Sequence, residues 1–317
     1  MGARNGMEAP GAIAVYGASG YTGRLVAAEL HRAGVPHVLA GRSRAKLEIV
    51  AEDAGGTGRV EAVELDDADG LRALLEPCAA VIACAGPFTQ HGEPVLAAAV
   101  DTGTHYLDTT GEQPFMRRVF DEFGPRAESS GAALITAMGF DYVPGDMIAS
   151  LTAEGMGELD ELVLAYAVSG FGPSRGTAHS ALAMIGGGDI EWRAGHEVDA
   201  DRSVSRGTFE FPEPIGRQRM VRYPAGEHVT VPRHVRTRNV RTMLTASTTM
   251  PPKLGIAAPI FMPGFQLALR TPVRRVLDAA IARLPEGPKP ESRRAARFTI
   301  VCEATQGARR RRGVIRG

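Results

Sequence analysis

Short apolar runs separated by amphipathic segments organise the first 150 residues. Ile13–Tyr16 is the first such run, and an amphipathic segment follows it from Tyr21 to Ala33. Continuous apolar runs are typical of parallel strands buried on both faces, and the segments between them have helical periodicity. The pattern predicts alternating strands and helices, and therefore a doubly wound parallel sheet.

Five further strands follow from the same alternation. Because parallel strands point the same way, the turns that follow them are expected at one edge of the sheet, where ligands of such folds bind. The predicted strands are His37–Ala40, Val60–Leu65, Ala79–Ala85, Tyr106–Asp108 and Ala133–Ala137. Helices are expected over 43–54, from Asp67 or Asp69 through Glu76, over 91–100 and over 114–129.

The pattern changes near residue 150. Leu159–Val168, Val240–Thr249 and Phe298–Glu303 have the character of strands, and 195–241 is a long polar stretch. Helices are expected near Thr177–Ile185 and within Pro251–Leu284. The predicted fold class is therefore α/β, with a Rossmann-type doubly wound parallel sheet and a second α+β domain.

The turn after the first strand carries three glycines in the sequence GASGYTG. Gly17 lets the chain leave the strand sharply, Gly20 lets the backbone approach a pyrophosphate, and Gly23 lets the helix pack close to the strand. The helix N-terminus favours phosphate charge. The alternative is an ordinary glycine-rich turn. The candidate pyrophosphate residues are Gly17, Ala18, Ser19, Gly20, Tyr21, Thr22 and Gly23.

The second strand ends in Arg42 at the position where an NAD site has an acidic residue for the ribose 2′-hydroxyl. A guanidinium pairs with a 2′-phosphate and stacks on adenine, so the sequence favours NADP(H) over NAD(H). A solvated basic loop is the alternative. Ser43 and Arg44 join Arg42 in the candidate cofactor set, together with residues of the turns after the third and fourth strands: Asp66, Ala85, Gly86, Pro87 and Phe88.

The candidate chemistry lies near the strand ends. No HExxH or CxxC motif occurs, and no tyrosine has a lysine four residues later, so the proton relay of short-chain dehydrogenases is missing. His91, Tyr142 and Asp141 are the candidate catalytic residues, since reduction of C=N or C=C needs a proton donor. Bound water is the alternative donor, and each of the three residues has a structural alternative in a turn or helix end.

Asp108 and Glu112 also lie near strand ends, and Asp108 alternatively anchors a loop. Arg175, His179 and Trp192 of the second half are weaker candidates for the substrate cleft, with core packing or surface exposure as the alternative. The arginine run 309–312 is interpreted as a solvated strand or tail.

Composition excludes several classes of function. The 317 residues include 36 basic and 36 acidic side chains, so no net charge favours nucleic acid or an anionic membrane as a partner. The three cysteines have no metal or disulfide spacing and suit a reducing, cytoplasmic compartment. We predict no metal, no membrane span and a disordered leader over residues 1–10.

Five motifs together resemble the saccharopine dehydrogenase-like oxidoreductases, and among them the bacterial trans-acting enoyl reductases. The glycine loop is shared by many folds, whereas the GPFTQHGEPV and HYLDTTGE blocks are more specific. The resemblance is dense from Ile13 to about Ser150, and continues thinly through YPAGEHVTVPRH at Tyr223–His234. The motifs are GASGYTGRLVA, LAGRSRAKL, CAGPFTQHGEPVLAAA, GTHYLDTTGE and GFDYVPGD.

The resemblance implies an NADP-binding Rossmann domain over 11–150 and an α+β substrate or dimerisation domain over 151–317. It also implies that Gly86, Pro87 and Phe88 line the nicotinamide. Such proteins commonly continue beyond a strand like RRGVIRG, so a chain that stops at Gly317 is either truncated or naturally short.

The expected function is an NADPH-dependent reductase of an activated C=C bond on a small-molecule or carrier-bound lipophilic substrate. Reduction of a C=N bond, as in saccharopine reductases, is the alternative within enzymes. A non-catalytic NADP(H)-binding regulator is the alternative outside them. Homodimerisation and peripheral membrane contact stay open.

Overall fold

The computed structural model describes most of the chain, and by contacts the chain divides into two compact units. The first unit comprises the chain up to Thr110 together with Phe115–Met138, and the second comprises Gly111–Pro114 and Gly139–Gly317. The described residues are 11–56, 58–140, 142–170, 174–176, 178, 188–200, 207–249, 277, 279–281, 283 and 286–317.

The first unit contains a six-stranded sheet whose strands all run parallel. Its strands are β1 (Ala12–Tyr16), β2 (His37–Gly41), β3 (Arg59–Ala62), β4 (Cys78–Ala83), β5 (His105–Asp108) and β6 (Leu134–Ile135). The order across the sheet is β3-β2-β1-β4-β5-β6. This order is that of the dinucleotide-binding doubly wound fold, and it confirms the predicted class.

Helices connect these strands as the periodicity predicts. They are α1 (Tyr21–Arg32), α2 (Arg44–Asp53), α3 (Ala68–Leu75), α4 (Phe88–His91), α5 (Glu93–Thr102), α6 (Gln113–Arg118) and α7 (Gly124–Ser130), with a π-helical turn over Val119–Phe123. Asp67 begins α3, because its side chain accepts a hydrogen bond from the Gly70 N–H at 2.9 Å.

One predicted helix is in fact two. The sequence predicts a single helix over 91–100, whereas the chain turns at Gly92 between α4 and α5. A Cβ atom at Gly92 would lie only 2.5 Å from the Phe115 ring, which packs against Phe88 at a centroid distance of 5.6 Å. The Phe115 ring and the Phe88 carbonyl oxygen therefore leave no room for a side chain at this turn.

The second unit is built on a mixed six-stranded sheet. Its described elements are α8 (Val143–Ala153), β7 (Glu161–Ser169), β8 (Ile190–Arg193), β9 (His196–Asp199), β10 (Thr208–Glu210), β11 (Arg217–Arg222), α9 (Glu227–Thr230), a 3₁₀ turn (Val231–Arg233), β12 (Val240–Thr245), α10 (Ala246–Thr249), α11 (Pro290–Ala295), β13 (Arg297–Gln306) and β14 (Arg309–Arg316). The sheet order is β10-β11-β12-β7-β13-β14, and β8 pairs with β9 separately. This arrangement confirms a second α+β domain.

One expectation for this unit was wrong in detail. The strand predicted to reach Thr249 ends at Thr245, because Thr248 turns back and donates its hydroxyl to the Val168 carbonyl at 2.9 Å. The polar stretch 195–241 contains strands β9, β10 and β11, whose side chains are mostly exposed or half-buried and give little apolar signal. The helices expected over Thr177–Ile185 and within Pro251–Leu284 lie largely outside the described residues.

Candidate functional site

Three strand ends of the first unit meet at Gly17. The Gly17 N–H donates to the Ala40 carbonyl at the end of β2 (2.9 Å), and the Cys84 N–H after β4 donates to the Tyr16 carbonyl (2.8 Å). Gly17 has a φ of +84°, and a Cβ atom there would lie 2.9 Å from the Ala85 nitrogen. The residues predicted for the pyrophosphate and those of the turn after β4 are therefore neighbours.

Gly23 brings helix α1 against this turn. A Cβ atom at Gly23 would lie 2.3 Å from the Gly17 carbonyl oxygen and 2.6 Å from the Ala18 Cα. The helix begins after Gly20, which has extended backbone and no capping side chain. Its first turn thus presents backbone N–H groups and the positive end of the helix dipole, a combination that fits the pyrophosphate of a dinucleotide.

Arg42 lies exposed directly after β2, as the sequence predicts. Its positive charge acts on the Tyr16 phenol, as do the negative charges of Glu64 and Asp66. Burial is the main reason that the pKa of Tyr16 is raised to about 12, and its hydroxyl donates to the Val63 carbonyl at 2.9 Å. The Arg42 cation fits the 2′-phosphate of a ribose, and the carboxylates nearby fit the amino group of an adenine.

Arg44 and the turn after β4 complete the predicted cofactor set. Arg44 donates to the Val60 carbonyl at 3.3 Å, so it lies beside β3. Gly86 is exposed, whereas Phe88 is buried against Phe115. The Phe88 ring therefore packs in the core of the first unit, and Gly86 is the exposed residue of this turn.

The two predicted catalytic residues that are described lie in different units. His91 is exposed at the end of α4, in the first unit, and its backbone N–H donates to the Pro87 carbonyl at 3.0 Å. Tyr142 directly precedes α8, in the second unit, and is only 2% exposed. Asp141 lies outside the described residues.

Asp108 holds the end of β6 rather than facing solvent. It is fully buried and accepts hydrogen bonds from the N–H groups of Thr110 and Ala137, both at 2.9 Å, and from the Thr136 hydroxyl at 2.8 Å. Burial raises the pKa of Asp108, and these hydrogen bonds oppose that rise. Ala137 has a φ of +61°, a left-handed conformation that these bonds stabilise. Asp108 is thus a loop anchor, the alternative that the sequence left open.

Tyr142 forms a hydroxyl pair that the sequence analysis did not predict. Its hydroxyl lies 3.0 Å from the Gly111 carbonyl oxygen, to which it donates, and 3.2 Å from the hydroxyl of Tyr223. Tyr223 is half-buried and directly follows β11. All three residues belong to the second unit.

A buried amide holds the segment that follows Tyr223. Gln113 is fully buried, and its side-chain NH₂ donates to the carbonyls of Pro224 at 3.1 Å and Ala225 at 2.7 Å. Its amide oxygen accepts from the Ile190 N–H at 2.7 Å. The side chain therefore joins 224–225 to the start of β8.

His228 and Thr242 continue this network with a defined proton arrangement. The Trp192 N–H donates to His228 Nδ1 at 3.1 Å, so the ring proton is on Nε2, which lies 3.0 Å from the Thr242 hydroxyl oxygen. The Thr242 hydroxyl in turn donates to the Tyr223 carbonyl. Burial, together with the positive charges of Arg222 and Arg193, lowers the pKa of His228 to about 3 and keeps it neutral.

Glu227 and Tyr166 form a second buried pair beside helix α8. The Tyr166 hydroxyl donates to Glu227 Oε1, and Glu227 is fully buried. A Cβ atom at Gly145 would lie 2.4 Å from that carboxylate oxygen, so a glycine is required there. Glu112 is also buried, with 1% of its surface exposed.

The weaker candidates have structural roles. Arg175 forms an ion pair with Glu286 at 3.5 Å, and Trp192 packs against the core while donating its indole N–H to the Thr237 carbonyl at 2.9 Å. His179 lies outside the described residues. The arginine run is part of β14, where Arg311 donates to the Thr152 carbonyl at 3.2 Å and Arg312 donates to the Glu210 carbonyl.

Among the residues that the structure describes there is neither a metal-binding cluster nor a membrane-spanning helix. No three His, Cys, Asp or Glu side chains converge there in a way that could bind a metal ion. None of the helices described combines the length and apolar character needed to cross a bilayer. The three cysteines are free thiols.

Most of the first unit is similar to a known family of domains. Residues 13–135 match the family model of the saccharopine dehydrogenase NADP binding domain. The predicted NADP-type cofactor and the predicted resemblance are thereby confirmed for this part of the chain.

Two curated proteins show the same relationship in sequence. A putative trans-acting enoyl reductase of Mycobacterium tuberculosis is 34% identical over 203 residues, covering 61% of this chain and 47% of that protein. A probable mitochondrial saccharopine dehydrogenase-like oxidoreductase of Arabidopsis thaliana is 34% identical over 149 residues, covering 43% of this chain and 33% of that protein. The chain thus spans about half or less of the relatives it matches.

A solved structure extends the similarity in fold to the second unit. Apo saccharopine dehydrogenase (L-Glu forming) from Saccharomyces cerevisiae matches with a TM-score of 0.55 at 14% sequence identity. The match covers 97% of this chain and 86% of that one. At this identity the likeness concerns the fold alone.

Proposed function

We propose, from the premise that residues 13–135 form an NADP-binding domain of the saccharopine dehydrogenase type, that the protein is an NADPH-dependent reductase. Its acceptor is an activated C=C bond, as in an enoyl thioester or a similar lipophilic, polyketide-type substrate. The observation that carries the proposal is the junction at Gly17, where three strand ends and helix α1 meet in close backbone contact, with Arg42 exposed directly after β2.

The first unit's residues divide the work of holding the cofactor. Gly17, Ala18, Ser19, Gly20, Tyr21, Thr22 and Gly23 hold the pyrophosphate, and Arg42 with Ser43 and Arg44 holds the 2′-phosphate. Asp66 lies on the adenine side, and Ala85, Gly86, Pro87 and Phe88 line the nicotinamide. When bound, NADPH supplies the hydride; the chain supplies orientation and a proton.

The choice of C=C rests on the relative named a trans-acting enoyl reductase. A C=N acceptor is the second candidate, because the matched domain and the matched fold carry the name of saccharopine dehydrogenase. A non-catalytic NADP(H)-binding regulator remains the candidate outside enzymes. We place the protein in the cytoplasm as part of this proposal.

Oxidation of NADPH in the presence of defined acceptors tests the proposal. We expect turnover with short enoyl thioesters and none with the matching saturated thioesters, which are the controls. Turnover of cyclic imines derived from amino acids, without turnover of enoyl thioesters, would select the second candidate. Tight NADPH binding without turnover of any acceptor would favour the regulator.

A further inference from the structure

The hydroxyl of Tyr16 joins the end of β1 to the segment that follows β3, within the first unit. Tyr16 is the last residue of β1 and is only 2% exposed, and its hydroxyl donates to the Val63 carbonyl at 2.9 Å. Because β2 lies between β1 and β3 in the sheet, this side chain reaches across the end of β2. The bond therefore lies at the edge of the sheet where ligands of such folds bind.

Val63 is the residue at which the pairing of β2 with β3 ends. Its N–H donates to the Gly41 carbonyl at 3.0 Å, one residue beyond the last pair of the two strands, Gly41 with Ala62. A parallel ladder would continue with the N–H of Ser43 as donor to the Val63 carbonyl. Ser43 has instead left the strand and precedes helix α2. The Tyr16 hydroxyl thus replaces that donor and holds the last carbonyl of the ladder.

Two opposite charges follow these paired residues. Arg42 comes after Gly41 and Glu64 comes after Val63, so the two residues leave neighbouring strands, which lie about 4.8 Å apart in a sheet. Both side chains are exposed, and both charges act on the Tyr16 phenol. Within the part of the chain that the structure describes, Arg42 and Glu64 nevertheless form no ion pair with each other. The guanidinium therefore remains open to a ligand, although a carboxylate follows the adjacent strand.

We propose that Tyr16 is a positioning residue for recognition of an adenosine 2′-phosphate, because its hold on Val63 keeps Glu64 from pairing with Arg42. This inference rests on the proposed function and deepens it, since it names what preserves the preference for a 2′-phosphorylated cofactor. Glu64 and the 2′-phosphate are rivals for one guanidinium. Without the Tyr16 hydroxyl the Val63 carbonyl loses its donor, the segment after β3 shifts, and Glu64 pairs with Arg42.

Titrations of Tyr16→Phe with NADPH and with NADH test the proposal. This variant keeps the buried ring and removes only the hydroxyl. We expect NADPH affinity to fall about 5-fold, the effect of one exposed ion pair that the phosphate must break, while NADH affinity changes by less than about 2-fold. Only NADPH has the 2′-phosphate, so a change in the ratio of the two affinities reports Arg42 rather than a general loss of structure.

Glu64→Gln separates competition for Arg42 from a purely structural role of the hydroxyl. Added to Tyr16→Phe, it should return NADPH affinity to within about 2-fold of the wild type, because no carboxylate then competes for the guanidinium. Alone, it should change NADPH affinity by less than about 2-fold, because Glu64 is already held away. Glu76→Gln, at an exposed position after α3, is the matched control and should restore nothing.

A second control addresses the loss of a buried hydroxyl. Tyr106 is fully buried in the same core cluster as Tyr16, at the other side of the sheet on β5. Tyr106→Phe should therefore keep the wild-type ratio of NADPH to NADH affinity.

The outcomes separate this inference from the proposed function. Wild-type selectivity in Tyr16→Phe, equal losses for both cofactors, or a loss that Glu64→Gln does not reverse would overturn the inference and leave NADPH binding standing. A gain of about 5-fold in NADPH affinity for Glu64→Gln alone would also overturn it, and that result does not depend on the folding of Tyr16→Phe. Absence of NADPH binding by the wild type would overturn the proposed function, and the inference with it.

Discussion

The candidate site of the first unit consists mainly of backbone groups, whereas that of the second unit consists of side chains. In the first unit the site is mostly backbone: a turn at Gly17, a helix N-terminus and the close approach of Gly23, with Arg42 as the added charge. In the second unit the candidate groups are side chains, held by a buried network around Gln113 and His228.

This difference explains what each unit tolerates. A site made of backbone groups needs small residues at fixed positions, so a larger side chain at one of them should weaken ligand binding. A site made of buried side chains needs a hydrogen-bond partner for every polar group, so removing one partner should lower the free energy of unfolding. The following changes test the contrast, from the largest expected effect to the smallest.

Gly23→Val should have the largest effect. The new Cβ would lie 2.3 Å from the Gly17 carbonyl oxygen, so α1 must move away from the turn. We expect NADPH affinity to fall by about 100-fold or more, since overpacking of this kind costs about 3 kcal/mol. Isothermal titration measures the change.

Gly124→Ala provides the control for Gly23→Val. Beyond its chain neighbours and its own helix, a Cβ atom at Gly124, in the first turn of α7, would come no closer than 4.0 Å, to the Val119 carbonyl oxygen. NADPH affinity should therefore stay at the wild-type value. Equal losses in both variants would show that the glycine junction has no special place in binding.

Gln113→Leu should destabilise the second unit without affecting the cofactor. The change leaves two carbonyls and the Ile190 N–H without their side-chain partner in a buried position. We expect a loss of about 3 kcal/mol in the free energy of unfolding. Trp192 is the only tryptophan and lies in β8, so its fluorescence reports this unit.

Gln218→Leu gives the matched comparison. The Gln218 amide donates only to the Ile215 carbonyl at 2.7 Å and is half-buried, so the loss should be about 1 kcal/mol or less. A Gln113→Leu variant as stable as Gln218→Leu would contradict the account of the network. NADPH affinity should be unchanged in both.

The free energy of unfolding should depend on pH through the protonation of His228. Its pKa is about 3 in the folded protein, whereas an unfolded histidine has a pKa of about 6.5. Between these values the unfolded chain binds the extra proton, so stability is fully present above pH 6.5 and falls as the pH is lowered. The slope is at most about 1.4 kcal/mol per pH unit.

Denaturant unfolding at several pH values, followed through Trp192, measures this slope. His228→Gln should show a shallower fall below pH 6.5 than the wild type, and the exposed His196→Gln should show the wild-type slope. Parallel curves for the wild type and His228→Gln would contradict a buried neutral histidine.

The sequence predicted the first unit well because its signals are local. Apolar runs mark the strands, glycine spacing marks the turn, and Arg42 lies at a fixed distance from that turn. The contacts of Gln113 and Tyr223 could not be predicted, because their partners are about 110 and 80 residues away and no periodicity connects them. The motif YPAGEHVTVPRH was the signal available in the sequence. The structure shows that its polar residues Glu227 and His228 are fully or almost fully buried.

The most direct test of the central claim is a titration of the purified protein with NADPH and with NADH, repeated for Arg42→Ala. The account predicts that NADPH binds much more tightly than NADH, and that Arg42→Ala removes most of this difference while NADH affinity is nearly unchanged. Similar affinity for both cofactors in the wild type, or equal losses for both in Arg42→Ala, would contradict it. Binding of neither cofactor would contradict the reductase proposal itself.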